Sequence, residues 1–292
     1  MLELIIAIVT VLRFAAPVAF SALGECIGQR AGIINIGLEG LMLTAAYVAA
    51  VVTQVSGSPW VGIAVGTAAA VALGLLQCFF TLALAADQIV VGTAVNLLAM
   101  GLTNTLYRAR YGQTGSLISL PPLPRSFAEV DAVIVLLVAA TVYAALMLTR
   151  TKRGLLTRAA GENPEAVEAA GFSAFKVRLW AVVFASVMAG IGGAYLAVGV
   201  TGSFSSGMTA GRGFVAIAMV TFGRWRPIWV LAATVLVGYS EQVQYLLQAR
   251  QVAVPGELLQ AMPYLFALIV LFIAGKGTSI PARLAIPHRR EK

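Results

Sequence analysis

The side chains able to do chemistry are few in this sequence, and their placement narrows what it can be. Among 292 residues there are 12 acids and a single histidine, His288, in a basic tail. Cys26 and Cys78 lie in apolar surroundings, without CxxC or Cys/His ligand spacing. Neither a metal site nor a disulfide framework is implied, and no nucleophile–base pair suits a hydrolase. The phosphate-cradling pattern GxxxxGK followed by Ser or Thr is missing. Its nearest relative, Gly275-Lys276-Gly277-Thr278, lacks the upstream glycine and the residue required after the lysine. The acids and the lone histidine are too sparse for the relay of a proton-driven carrier, whereas sodium coupling stays open. No cofactor is expected on this chain.

The elements that must position the remaining polar groups are membrane helices. Hydrophobic residues make up 60% of the chain and charged ones 11%, with a mean hydropathy of +0.90. Soluble domains are about 25% charged, so a soluble enzyme is disfavoured. The net charge of +8 sits between long apolar runs, which suits loops on one membrane face better than nucleic acid. The first 20 residues carry Glu3 and Arg13 and lack a basic start, so they read as an uncleaved helix and not a signal peptide.

A spanning helix needs about 20 apolar residues, and lipid requires that it be helical. We expect an all-α integral membrane protein, a single transmembrane domain over 1–292. The expected crossings number nine, within eight to ten: 4–23, 37–54, 59–82, 88–106, 131–149, 178–200, 210–223, 227–247 and 258–275. Three loops concentrate the basic residues: Arg150 to Arg178, Arg224 with Arg226, and the tail from Lys276 to Lys292. With this helix count they share a side. The positive-inside rule makes it cytoplasmic, with the N-terminus outside and the C-terminal tail, 276–292, inside. The expected outer loop 107–130 runs against this trend with Arg108, Arg110 and Arg125.

Two glycine-rich breaks interrupt the pattern, Gly24 to Gly40 and Gly199 to Phe214. Irregular backbone at membrane depth is tolerated where it lines a cavity, and paired breaks point to a transport pathway between structural repeats. Acids inside membrane segments are functional candidates. Glu39 follows Asn35 by four residues, so the two share one helical face. That face either lines a pathway or satisfies a neighbouring helix. Asn96 with Asn104, and Glu241 with Gln244 and Tyr245, form further polar stripes that interhelical bonding alone would explain. Asp87 fits a helix cap. The candidate pathway residues are Asn35, Glu39, Asn96, Met208, Arg212, Phe214 and Glu241.

The loop 150–177 contains Arg158-Ala-Ala-Gly161-Glu162-Asn163-Pro164-Glu165-Ala166-Val167-Glu168-Ala169-Ala170-Gly171. Asn163 is a good N-cap and Pro164 suits the first helical position. Glu165 stands where the dipole favours an acid, and Gly171 where the helix should end left-handed. The expected product is a helix of about two turns over 164–170, too short to stand alone in water. It is either a capped connector lying on its own bundle or a docking helix for a cytoplasmic subunit.

Arg30-Ala-Gly-Ile-Ile-Asn-Ile-Gly-Leu-Glu-Gly40 resembles the signature of permease subunits of ABC importers, in the nucleoside and simple-sugar branch related to ribose and branched-chain amino-acid permeases. Arg158 to Gly171 is similar to that family's coupling segment. Val91-Gly92 to Asn96 through Gly101, Ala189-Gly-Ile-Gly-Gly-Ala194, Met208 to Phe214, and Gly223-Arg-Trp-Arg-Pro227 continue the match in order. The resemblance implies the translocation half of an importer in a bacterial cell (inner) membrane. It implies a second permease, more often a longer relative than an identical copy, and an external solute-binding protein. Cytoplasmic ATPase subunits would hold the ATP and Mg. They would grip Arg158, Gly161, Glu162, Asn163, Pro164, Glu165, Ala166, Ala169 and Gly171. Nucleoside leads as solute and simple sugar follows, with other small solutes such as riboflavin open. An independent carrier or channel is the competing class, and a membrane enzyme a distant third.

Overall fold

The computed structural model describes residues 2–112, 119–124, 130–250, 261–262, 265 and 280–287. The described residues are helices and connecting turns, with no strand. The expected crossing 258–275 and most of the basic tail lie outside them, as do Arg125 and His288.

Among the described residues six helices are long and apolar enough to cross a membrane. They are α1 (Leu2–Arg30), α2 (Leu38–Ser56), α3 (Pro59–Cys78, extended by a π-helical turn to Ala83), α4 (Gln88–Tyr111), α5 (Ala132–Arg150) and, after two short helices, α8. The short helices are α6 (Lys152–Glu162) and α7 (Pro164–Ala169), and α8 runs Ala174–Tyr195 before a π-helical turn to Thr201. Then come α9 (Arg212–Phe222) and α10 (Pro227–Ala249). The last is long enough to span, but its second half carries Glu241, Gln242, Gln244 and Gln248, and it falls outside the apolar set.

Three expectations need correction. The first helix does not stop near 23: it continues through Gly24 and Gly28 to Arg30. Glycine weakens an isolated helix by about 1 kcal/mol, but here residues 15–29 are all buried and packing overrides propensity. The first break shrinks to 31–37. Asn35 therefore lies in that break and not on a helical face with Glu39, which opens α2. Third, α9 is no crossing by itself, since 11 residues rise only about 16 Å. There the chain runs as the irregular stretch 202–211 followed by a half-length helix.

Helix α1 is the central post, packed on α8 and α10 along its length and on α9 and α5 more briefly. At one end of the bundle its C-terminus meets two later segments. Arg30 Nε donates to the Trp225 carbonyl at 3.1 Å, and Gly161 of α6 lies against the Arg30 carbonyl. Residues 30, 158–162, 178, 224–226 and 283 thus share one end. The opposite end holds Tyr111 bonded to Gln54 at 2.5 Å and the Gly202 carbonyl bonded by Leu120 N–H at 2.9 Å.

Candidate functional site: a mid-bundle junction and an end-of-bundle knot

The two breaks meet inside the bundle. Glu39 is in the first turn of α2, where the dipole favours its charge. Its two carboxylate oxygens accept from backbone N–H groups of Gly211 at 2.8 Å and Gly213 at 2.7 Å. A carboxylate in the first turn of α2 thereby caps the N-terminus of α9. A half-helix starting in apolar surroundings exposes N–H groups that lipid cannot satisfy, and Glu39 supplies the acceptors. Gly211 allows the left-handed turn (φ +83°) that aims them. A Cβ on Gly213 would stand 2.5 Å from Glu39 N, so only glycine permits this approach.

Arg212, between those glycines, points the other way. Its guanidinium is bidentate to Glu241 of α10, at 3.2 and 3.3 Å, and also donates to the Met208 carbonyl at 3.0 Å. Its side chain is 17% exposed and that of Glu241 7%. Asn96 of α4 locks the other flank of α2, accepting from Gly40 N–H at 2.8 Å and donating to the Ile36 carbonyl at 2.8 Å. Above this, Ser206 reaches Asn104, and Phe204, fully buried, sits between the rings of Tyr47 and Tyr107.

The structure therefore brings together Glu39, Asn96, Met208, Arg212 and Glu241. Phe214 is on α9 but faces outward, 49% exposed. Asn35 stands apart and buried: its N–H donates to Glu25 at 3.0 Å, and its side-chain amide has no partner among the described residues. Asp87 caps α4 by accepting from Ile89 and Val90 N–H, at 2.8 and 3.0 Å.

At the end of the bundle α7 forms as its capping residues demand. Ala166 N–H donates to Asn163 Oδ1 at 3.0 Å, Pro164 occupies the first turn, and Gly171 is left-handed (φ +83°). The helix ends at Ala169, one residue short of the expected 170. Its inner face is fixed: Pro164 is buried, and Val167 packs with Ala160 and Ala174. Its outer face is open: Glu165, Ala166, Ala169, Ala170, Gly171 and Phe172 are exposed.

Arg178 holds this unit to the bundle. It is 1% exposed and donates to the carbonyls of Ala31 at 3.1 Å and Ala160 at 3.2 Å. The segment 282–285 adds a clasp. Arg283 N–H donates to the Gly161 carbonyl at 2.9 Å, Ala282 N–H to Glu162 at 3.1 Å, and the Arg283 guanidinium to Glu165 at 3.2 Å. Sequence reasoning treated Arg178 only as loop charge. Its position one residue before an apolar run was the available signal, because a charge entering a bundle must find partners. Arg13 is a second such charge: inside α1, it faces Asp131 at 3.8 Å, and Asp131 accepts from Tyr195 at 2.5 Å.

A half-helix capped at membrane depth beside a second helix start, in an all-helical bundle with a compact end domain, suits a translocation subunit. The model of one family, described as the branched-chain amino acid transport system permease component, matches residues 7–275. The chain belongs to this family of ABC transporter permeases. It is a membrane transport subunit, not an enzyme. Among curated relatives it is 32% identical to the putative glucose ABC transporter permease TsgC13 of Haloferax volcanii, over 94% of this chain and 92% of that one. It is 30% identical to the nucleoside ABC transporter permease NupC of Lactococcus lactis, over 92% of each. Against the guanosine ABC transporter permease NupQ of Bacillus subtilis identity is 28%, over 96% and 95%. A second permease of each of these two bacteria, NupB and NupP, matches as well. No solved structure matches the chain significantly.

Proposed function

We propose that this permease carries nucleosides inward across the cell membrane, driven by ATP hydrolysis on separate cytoplasmic subunits that grip α7. The whole chain, 1–292, acts as one transmembrane domain. The observation that carries the docking reading is the two-sidedness of α7: its inner face is locked into the bundle while its outer face, with Ala166, Ala169 and Ala170, stays open. Small residues let a partner groove seat closely, and the clasp on Gly161 and Glu165 would pass motion to the Arg30 end of α1. The end bearing Arg158, Arg178, Arg224 and Arg226 faces the cytoplasm by the positive-inside rule. The N-terminus of α1 is then outside and the C-terminal tail inside. ATP and Mg bind to the partner, not to this chain.

Two nucleoside-named relatives favour nucleoside as solute, and the glucose-named relative keeps simple sugar as the second reading. Two permeases of the same bacterium match this chain in each case, NupC and NupB, and NupQ and NupP, which favours a related second permease over a homodimer. An external solute-binding protein delivers the solute. Glu39, Arg212 and Glu241, with Asn96, Met208, Phe214 and Asn35, line or shape the pathway.

The complex, reconstituted with its ATPase and binding protein, should show ATPase stimulation by nucleosides and not by sugars; the reverse pattern selects the sugar reading. Gly161→Pro and Glu165→Lys should leave the protein inserted and ATP hydrolysis active while uptake falls. Uptake equal to the parent in both would remove the docking assignment, and solute movement by the chain alone would replace it with a carrier.

A further inference from the structure

Where α5 ends and α10 begins, an open cavity of about 640 Å³ is lined by Arg30, Arg158 and Arg226 together with Trp225, Trp229 and Leu148. Among the described residues no carboxylate lines it. Glu162 is within electrostatic reach of Arg30 and already accepts from Ala282 N–H at 3.1 Å. The pocket is built and not incidental. Trp225 is 3% exposed and donates its indole N–H to Gln29 at 2.7 Å. Arg30 holds the Trp225 carbonyl, fixing a turn in which Arg224 and Trp225 both have left-handed backbones (φ +52° and +53°). That turn presents Arg226 to the cavity. The mouth is apolar: Ile228 and Trp229 point outward, 64% and 61% exposed.

The location decides the occupant. The cavity lies at the boundary of the apolar band, where α5 reaches Arg150 and α10 starts at Pro227. Tryptophan favours that depth, and basic pockets between membrane helices there suit anionic head groups. A ligand must be anionic at one end and apolar at the other. We propose that this pocket binds the head group of an anionic phospholipid, its phosphate among Arg30, Arg158 and Arg226 and its acyl chains along Ile228 and Trp229. The site is separate from the mid-bundle junction, shares only Arg158 with the expected ATPase contact, and goes beyond the transport reading.

The test uses the purified full-length chain, titrated with phosphatidylglycerol or phosphatidylcholine and read by native mass spectrometry. Phosphatidylglycerol should be retained with at least tenfold preference. Arg226→Gln should weaken it about fivefold, as expected for one interfacial charge. Arg226→Lys should keep most of the binding. Trp229→Ala, a change on an exposed side chain, should weaken it without lowering the unfolding temperature. Equal retention of both lipids, or no effect of Arg226→Gln and Trp229→Ala, overturns the site. Full competition by millimolar inorganic phosphate would make it a free-anion site and overturn the lipid. Loss of phosphatidylglycerol on assembly with the ATPase and second permease would make it a protein interface, which also overturns it.

Discussion

The mid-bundle junction and the end-of-bundle knot solve one problem under opposite conditions. Both hold a short helix whose terminal N–H groups need acceptors. At α9 the acceptor comes from far along the chain: Glu39 serves Gly211 and Gly213 across more than 170 residues. At α7 it is local, Asn163 serving Ala166 three residues on. Where water is excluded, each polar group must be matched by another part of the bundle. At the solvated end a local cap suffices, and one face can remain open. The junction is therefore expected to be a stability element, whereas the exposed outer face of α7 can be altered at little structural cost.

Substitutions at four sites, one of them paired with a compensating change, would break or sharpen this contrast. Arg212→Met leaves Glu241 buried without its partner and should cost about 3–5 kcal/mol, seen as a large drop in unfolding temperature in detergent. The double variant Arg212→Met with Glu241→Leu should recover more than half of that loss; no recovery would mean that the guanidinium matters mainly through the Met208 carbonyl. Glu39→Ala strands two N–H groups and should cost about 2–4 kcal/mol, with Glu39→Gln intermediate because its amide keeps a single acceptor oxygen. Asn163→Ala removes a cap and should cost about 1 kcal/mol, visible as faster amide exchange over 164–170 and not as global unfolding. Glu165→Gln removes an ion pair whose members are 43% and 54% exposed. It should change stability by under about 0.5 kcal/mol while lowering uptake. If the end variants destabilise as much as the junction ones, the two regions are one cooperative unit and the contrast fails.

Legibility followed the range of the interaction. The starts of α2 to α5 fall within a residue of expectation, because Pro59, Asp87 and Asp131 are local signals. The Asn163–Gly171 unit was readable for the same reason. Asn35 was misread as sharing a helix with Glu39, since a four-residue spacing states a face only if the backbone between is helical. For Glu39 the sequence allows either lining a pathway or satisfying a neighbour. The structure gives it a neighbour, but a backbone terminus and not a side chain, which no spacing rule foresees. Arg178 and Arg13 looked like ordinary charges because their acceptors, Ala31, Ala160 and Asp131, are distant in sequence.

Composition and apolar run length alone determined that the chain lives in a membrane as helices, because lipid admits few alternatives for so hydrophobic a polypeptide. Local capping chemistry alone determined the short helix at 164–169. Only the tertiary structure decided that α1 runs unbroken through two glycines, that α9 is a half-helix, and that one carboxylate joins the two breaks. Those outcomes depend on which distant groups are buried together, and burial is a property of the packed bundle and not of any window of residues.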